Sequence, residues 1–188
     1  MSLAAALARR RSMREFADRA LGRSELSQLL WAAQGVSDGP TGLRTAPSAG
    51  ALSPLFAYAA LAEGLYRYVA STHVLEEVVA RDLRSDLAIA ALGQQEIAHA
   101  PCVLVLTAVF ARTTRKYGER GVRYAWLETG HAAQNVLLAA TALGLAAYPV
   151  GAFDDAQVAK LLRLTRDEAP LYLLPVGVLR SDRNSARG

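Results

Sequence analysis

The chain has 188 residues, 52% of them apolar and 20% charged, with a formal net charge of +4. Such a chain is long enough for one folded domain over residues 1–188 with a sizeable core, and its composition excludes a disordered one. Its bases gather at Arg9, Arg10, Arg11 and Arg14, at Arg112, Arg115, Lys116, Arg120 and Arg123, and at Arg180, Arg183 and Arg187, not along one stripe interleaved with aromatics; this argues against a nucleic-acid binder and for small clusters able to converge on one small anion.

Residues 3–10 are rich in Ala and Leu and read as a helix, which Arg11-Ser12-Met13-Arg14 interrupts. A second helix is expected from a Ser24 N-cap to Gly35, with Leu26, Leu29, Leu30 and Ala33 at helical spacing. Residues 36–50, rich in Gly, Pro, Ser and Thr, read as one long loop, and long loops in compact domains are often functional. Phe56–Ala62 and Leu65–Val69 read as a hairpin turning at Glu63-Gly64, and residues 73–92 as helical, with Asp86–Leu92 a second short piece. The apolar run Val103–Val109 is a buried strand carrying the flank of the one cysteine, Cys102, a core residue rather than a nucleophile. A long helix is expected over Gly121–Leu143, apolar over so much of its surface that it belongs in the core. A strand over Ala146–Val150, a helix over Asp155–Leu164 and a strand over Leu171–Leu179 complete an α+β fold. The apolar stretch Val136–Val150 is shorter than the ~20 residues of a spanning helix, and Met1–Arg11 places its bases after its apolar residues, the wrong order for a secretory signal. With a lone cysteine, a cytoplasmic setting is expected.

Five segments carry chemistry. Arg10, Ser12 and Arg14, with Arg11 between them, suit a phosphate monoester, because a dianion needs both charge and planar, bidentate donors. Arg44-Thr45-Ala46-Pro47-Ser48-Ala49-Gly50-Ala51 is a rigid loop of small residues whose backbone can approach a flat ligand. Glu128, His131 and Asn135 fall three or four apart on a helix, a spacing that places them on one face; buried there they need partners, and helix-packing hydrogen bonds explain them better than a metal, since no His or Cys pair accompanies them. Tyr148-Pro149-Val150-Gly151 marks a strand end, where ligands often sit, and Arg180 closes the last strand. Dinucleotide, Walker and nucleophile-elbow motifs are absent from the sequence.

Taken in order, these pieces resemble the nitroreductase superfamily, and within it the SagB-type, azoline dehydrogenase-like branch. The resemblance runs from about Arg9 to Arg180. It rests on Arg11-Ser12-x-Arg14-x-Phe16, Arg44-Thr45-x-Pro47-Ser48-Ala49-Gly50-Ala51, Gly64-Leu65-Tyr66, Lys116-Tyr117-Gly118-x-Arg120-Gly121, Glu128-x-Gly130-His131-x-x-Gln134-Asn135, Gly144-Leu145, Val150-Gly151-Ala152-Phe153 and Pro175-Val176-Gly177.

The resemblance implies a mostly antiparallel central sheet packed by helices, an intertwined homodimer, and FMN bound at the dimer interface. Carried over by position, Arg10, Arg11, Ser12, Arg14 and Arg180 would hold the phosphate and ribityl end. Pro47, Ser48 and Ala49 of the second copy would pass the ring, Val150 and Gly151 would lie against it, and Gln134 belongs to a recurrent family motif. Lys116 and Tyr117 match a pair that stands on the substrate side of the flavin and helps remove a proton. The expected activity is therefore an FMN-dependent oxidoreductase moving hydride to and from flavin N5, on a small-molecule or azoline-like substrate. The chain carries no added peptide-recognition domain, which points away from a peptide substrate. Two other readings stand beside it: an NAD(P)H-dependent nitro or quinone reductase, and a non-catalytic protein that stores FMN.

Overall fold

The computed structural model describes residues 1–180; Arg183 and Arg187 lie outside the described residues. Its centre is a six-stranded sheet built from β3 (Leu55–Ala60), β4 (Leu65–Val69), β5 (Val74–Val79), β6 (Cys102–Val109), β7 (Leu145–Ala147) and β8 (Glu168–Val178), in the order β5-β4-β3-β6-β8-β7 with every neighbour antiparallel. The mostly antiparallel sheet expected from the sequence is thus present.

Strand β6 is the axis of the core. Its side chains alternate, so Cys102, Leu104 and Leu106 enter one apolar cluster and Val103 and Val105 the other. Both faces are covered by helices, and this explains an unbroken apolar run where a half-exposed strand would alternate with polar residues. Burial pushes the Cys102 thiol up to about 12, consistent with an inert core residue. The first face packs on α2 (Arg23–Gln34) and α6 (Arg120–Ala142); the second packs on α3 (Arg84–Ala90), α4 (Gln95–His99) and α7 (Asp155–Leu161).

Several expectations need correction. Residues 74–79 form strand β5, not a helix: Leu75, Val78 and Val79 mimic helical spacing, but the valines suit a pleated surface and β4 offers a free edge. Arg67↔Glu76 and Tyr66↔Glu77 fix the register. The β4–β5 turn is locked at His73, at φ 54°, whose ring nitrogens meet Tyr68 and Ser27, both at 2.7 Å. Helix α2 is capped by Gly22 rather than Ser24, with the Gly22 N–H donating to Glu25 Oε2 at 2.6 Å. The 36–50 loop contains a two-stranded ribbon, β1 (Val36–Asp38) with β2 (Leu43–Arg44), and a 3₁₀ turn at Ala49–Ala51. The strand expected to end at Val150 stops at Ala147; after Pro149, Val150 rejoins the sheet only as an isolated bridge to Leu173.

Helix α1 (Leu3–Arg9) lies against α6, and α5 (Ala111–Tyr117) precedes it. Within one chain α6 is covered on one side only. Ala125, Thr129, Ala132, Val136 and Leu137 are buried, while Trp126 and Leu127 are 51% and 55% exposed. The expected all-round core helix therefore presents a bare apolar face. No helix among the described residues is long and apolar enough to cross a membrane.

Candidate active site

Sequence-distant residues meet at two places. At the β7–β8 edge, the chain leaving α1 runs beside the ends of both strands. The Met13 N–H donates to the Ala147 carbonyl at 3.1 Å and the Ala17 N–H to the Val178 carbonyl at 2.8 Å. The Arg180 N–H donates to the Glu15 carbonyl, and its Nε to the Phe16 carbonyl, both at 3.2 Å. Arg14 is thereby held beside Tyr148, and Arg180 beside Glu15 and Phe16, on the run that continues from Arg10, Arg11 and Ser12. The Arg14 guanidinium lies 4.9 Å from the centroid of the Tyr148 ring, which stacks on Phe16. Ion pairs among the described residues involve Arg19, Arg81 and Arg84, so Arg10, Arg11 and Arg14 keep their charge for another anion. Arg11 spends part of its donor set on the Ala8 and Arg10 carbonyls, at 2.9 and 2.8 Å, closing the end of α1.

The strand-end residues divide the work. Val150 is buried, and both its backbone groups bond to Leu173, its N–H donating at 2.8 Å. It therefore has no free N–H for a ligand. Gly151 is exposed and its N–H has no protein partner among the described residues; a Cβ there would meet only the Tyr172 ring edge at 3.7 Å. The backbone face at Gly151 is thus open to a flat group. The Tyr148 hydroxyl is buried with no hydrogen-bond partner among the described residues, and burial pushes it up to about 12. A cluster of uncommitted guanidiniums, an open glycine backbone and an orphaned hydroxyl fit a flat, phosphate-bearing cofactor.

The second place lies between the Arg44–Ser53 segment, α5 and α6. Thr45 fixes the segment to the end of α2, its hydroxyl donating to the Trp31 and Ala32 carbonyls at 3.0 and 2.9 Å. Asn135 donates to the Thr45 carbonyl at 3.3 Å, so it positions this loop; Gln134 beside it is half-buried and enters no hydrogen bond among the described residues. Ser48 accepts from the Ser53 N–H at 2.9 Å, which bends the chain back after Pro47 and Ala49. Gly50 then adopts φ 61°, and a Cβ there would lie 2.6 Å from the Tyr117 hydroxyl and 3.1 Å from Lys116 Nζ. Lys116 and Tyr117 therefore close on this loop from the last turn of α5, an element the sequence did not disclose.

Beneath the loop sits Glu128, 2% exposed, close to Ser48 and Arg44 but with neither oxygen in a well-formed hydrogen bond among the described residues. Burial pushes its carboxyl up to about 7, although Ser48 and Arg44 pull it the other way. His131 is exposed while Glu128 faces inward, so the two do not share a face as their spacing suggested, and no metal-binding cluster occurs among the described residues. Glu128 and Tyr148 are the site residues whose importance sequence spacing alone did not reveal; their isolation from partners depends on how α6 and the Pro149 break pack.

The model of one family, the nitroreductases, matches residues 7–178. The chain belongs to the nitroreductase family. Members are flavin-dependent oxidoreductases, so the enzyme class expected from the sequence stands, as does the fold. A candidate nitroreductase of Methanocaldococcus jannaschii is 45% identical over 177 residues, covering 91% of this chain and 88% of that one. A solved candidate nitroreductase of Ralstonia eutropha superposes with a TM-score of 0.88 at 35% identity, over 96% of this chain and 84% of the other. The microcin B17-processing protein McbC of Escherichia coli is 31% identical over 152 residues, 74% of this chain but only 56% of McbC.

Proposed function

We propose that this nitroreductase-family chain is an FMN-dependent oxidoreductase that works as a homodimer, each FMN lying between the basic edge of one copy and the Pro47–Ala49 loop of the other. One observation carries this reading. None of the hydrogen bonds or aromatic contacts among the described residues joins the two half-sites within one chain, while α6 presents the bare apolar face that a second copy would cover.

Arg10, Ser12, Arg14 and Arg180 would hold the phosphate and ribityl end by charge-assisted hydrogen bonds, with Arg11 adding what its helix-closing role leaves free. The Gly151 N–H, rather than that of Val150, would donate to the ring, with the Val150 side chain fixing the backbone from behind. Pro47, Ser48 and Ala49 would flank the ring from the second copy, and Gln134 would border the same cleft. When bound, FMN supplies the hydride-accepting and hydride-donating centre. On the substrate side, Lys116 Nζ takes the proton that a substrate loses, and the Tyr117 hydroxyl orients the substrate's heteroatom. Gly50 keeps the loop close enough for both groups to reach it.

The resemblance of this chain's motifs to the azoline dehydrogenase-like branch supports an azoline-like or other small substrate being dehydrogenated. The Methanocaldococcus relative, described as a candidate nitroreductase, supports the reverse direction, with NAD(P)H reducing the flavin for a nitro or quinone acceptor. Anaerobic addition of NADPH or NADH to the FMN-loaded protein separates them: rapid bleaching of the flavin selects the reductase, and no bleaching selects the dehydrogenase. Tight FMN with no turnover by any donor would select storage instead.

A further inference from the structure

A second polar site lies where β3 and β4 part. The two strands pair from Ala60↔Leu65 to Tyr58↔Arg67 and then diverge, Leu55–Ala57 staying with β6 and Tyr68–Val69 with β5. The fork holds a cavity of about 160 Å³ lined by Gln34, Arg44, Phe56, Arg67, Tyr68 and Arg112 among others. Three of these side chains are guanidiniums from three separate elements, and no carboxylate lines the space.

The guanidiniums are held together without acids. Those of Arg67 and Arg112 both pack on the Phe56 ring, 5.0 and 4.5 Å from its centroid. Arg44 donates to the Gln34 carbonyl at 2.8 Å and Arg112 to the Ser53 carbonyl at 2.9 Å, each through one nitrogen, leaving most of their donors free. Burial, and after it the nearby Arg112 charge, hold the Arg44 guanidinium below its ordinary range, although Tyr68 and Glu128 pull it the other way. Three carboxylates stand near but are not among the lining residues: Glu76 faces Arg67 across the β4–β5 ladder, Glu168 accepts from Tyr58 and Thr107 on the Phe56 face of the sheet, and Glu128 acts on Arg44.

Independent evidence comes from Gln34. Gln34 is 1% exposed, is one of the residues lining the cavity, and has neither side-chain amide atom hydrogen-bonded among the described residues; Arg67 Nε, also buried, is likewise without a partner among them. Buried polar groups are normally paired. Among the described residues, then, one amide and one guanidinium N–H are left without a partner on two residues that line the same small, cation-rich cavity.

We infer that the β3–β4 fork is a binding site for a small oxyanion, a carboxylate or phosphate group, held by Arg44, Arg67 and Arg112 with the Gln34 amide as a further donor. The site is separate from the Arg10–Arg14 edge and does not depend on the FMN reading. Because Arg44 begins the Pro47–Ala49 loop and Arg112 anchors Ser53 beyond it, an anion here would brace both ends of that loop.

The test is calorimetric titration of the full-length protein as purified with inorganic phosphate and, separately, acetate, in a low-chloride buffer free of both. Saturable binding at one site per chain is expected for at least one anion, and the tighter arm identifies phosphate or carboxylate as the natural group. Arg67→Met and Arg112→Met should each weaken it at least tenfold. Gln34→Leu should weaken binding too, yet raise the melting temperature of the anion-free protein, since it removes a buried unpaired amide. Repeating the titration in Arg10→Met/Arg14→Met keeps the result independent of the FMN site: binding should persist there. No saturable binding of either anion, or binding unchanged by both Arg67→Met and Arg112→Met, overturns the inference.

Discussion

Arg14 ties the basic edge to the fold: its guanidinium packs on Tyr148 while remaining outside any ion pair formed among the described residues. A charge-assisted bond to phosphate contributes about 1.5–3 kcal/mol, so Arg14→Ala should weaken FMN binding by about tenfold or more. Fluorescence titration of the flavin reads this directly. Lys116 belongs to the other half-site, and Lys116→Ala should slow turnover about a hundredfold or more while flavin content stays unchanged. Full turnover in that variant would remove Lys116 from the mechanism. Glu128 makes a pH prediction. Its carboxyl is raised to about 7 when folded, from an ordinary value of 4.5, so the unfolded chain ionises first as pH rises. Wild-type stability should therefore fall between about pH 4.5 and 7, by up to about 3 kcal/mol. In Glu128→Gln that fall should be flattened, with a higher melting temperature than wild type at pH 8 and little difference at pH 4.5. Arg10, Ser12, Arg14 and Arg180 could be picked out from the sequence as residue types that suit an anion, but that Arg14 packs on Tyr148 and Arg180 on the Glu15 and Phe16 carbonyls could not. Nor was the isolation of Glu128, Gln34 and Tyr148 legible there, because an unpaired polar atom is a property of packing.

At the scale of elements, legibility followed the strength of the local pattern. Strand β6 and helix α6 announce themselves by an unbroken apolar run and a wide helical stripe. Strand β5 does not: Val74-Leu75-Glu76-Glu77-Val78-Val79 fits either period, and only the open edge of β4 decides it. Helix α5 was equally silent, since Ala-Arg-Thr-Thr-Arg-Lys-Tyr carries no apolar stripe, and its helical turn is what brings Lys116 and Tyr117 to Gly50. Two tests belong here. Leu104→Ala, at the fully buried centre of the sheet, should cost about 2–5 kcal/mol in chemical denaturation. Gly50→Ala should do a different kind of damage: a side chain at φ 61° against the Tyr117 hydroxyl must push Tyr117 away, lowering kcat while flavin stays bound.

Across the whole molecule, the same long helix has two unlike sides. Its inner side seals the sheet, while its outer side leaves Trp126 and Leu127 half-exposed. The wide apolar stripe was visible in the sequence, but its division into core and bare faces depended on how α6 sits on the sheet. If the second copy covers that face and completes the flavin cleft, subunit association and flavin binding must be lost together. Size-exclusion chromatography of the purified protein, with molar mass and the full absorption spectrum recorded across the peak, tests this most directly. The expected result is flavin absorbance at one FMN per chain on a species of dimer mass, and a colourless single-chain species for Trp126→Glu/Leu127→Glu. A dimer that takes up no FMN on titration, or full flavin carried by a single chain, would contradict a cofactor site shared between two copies.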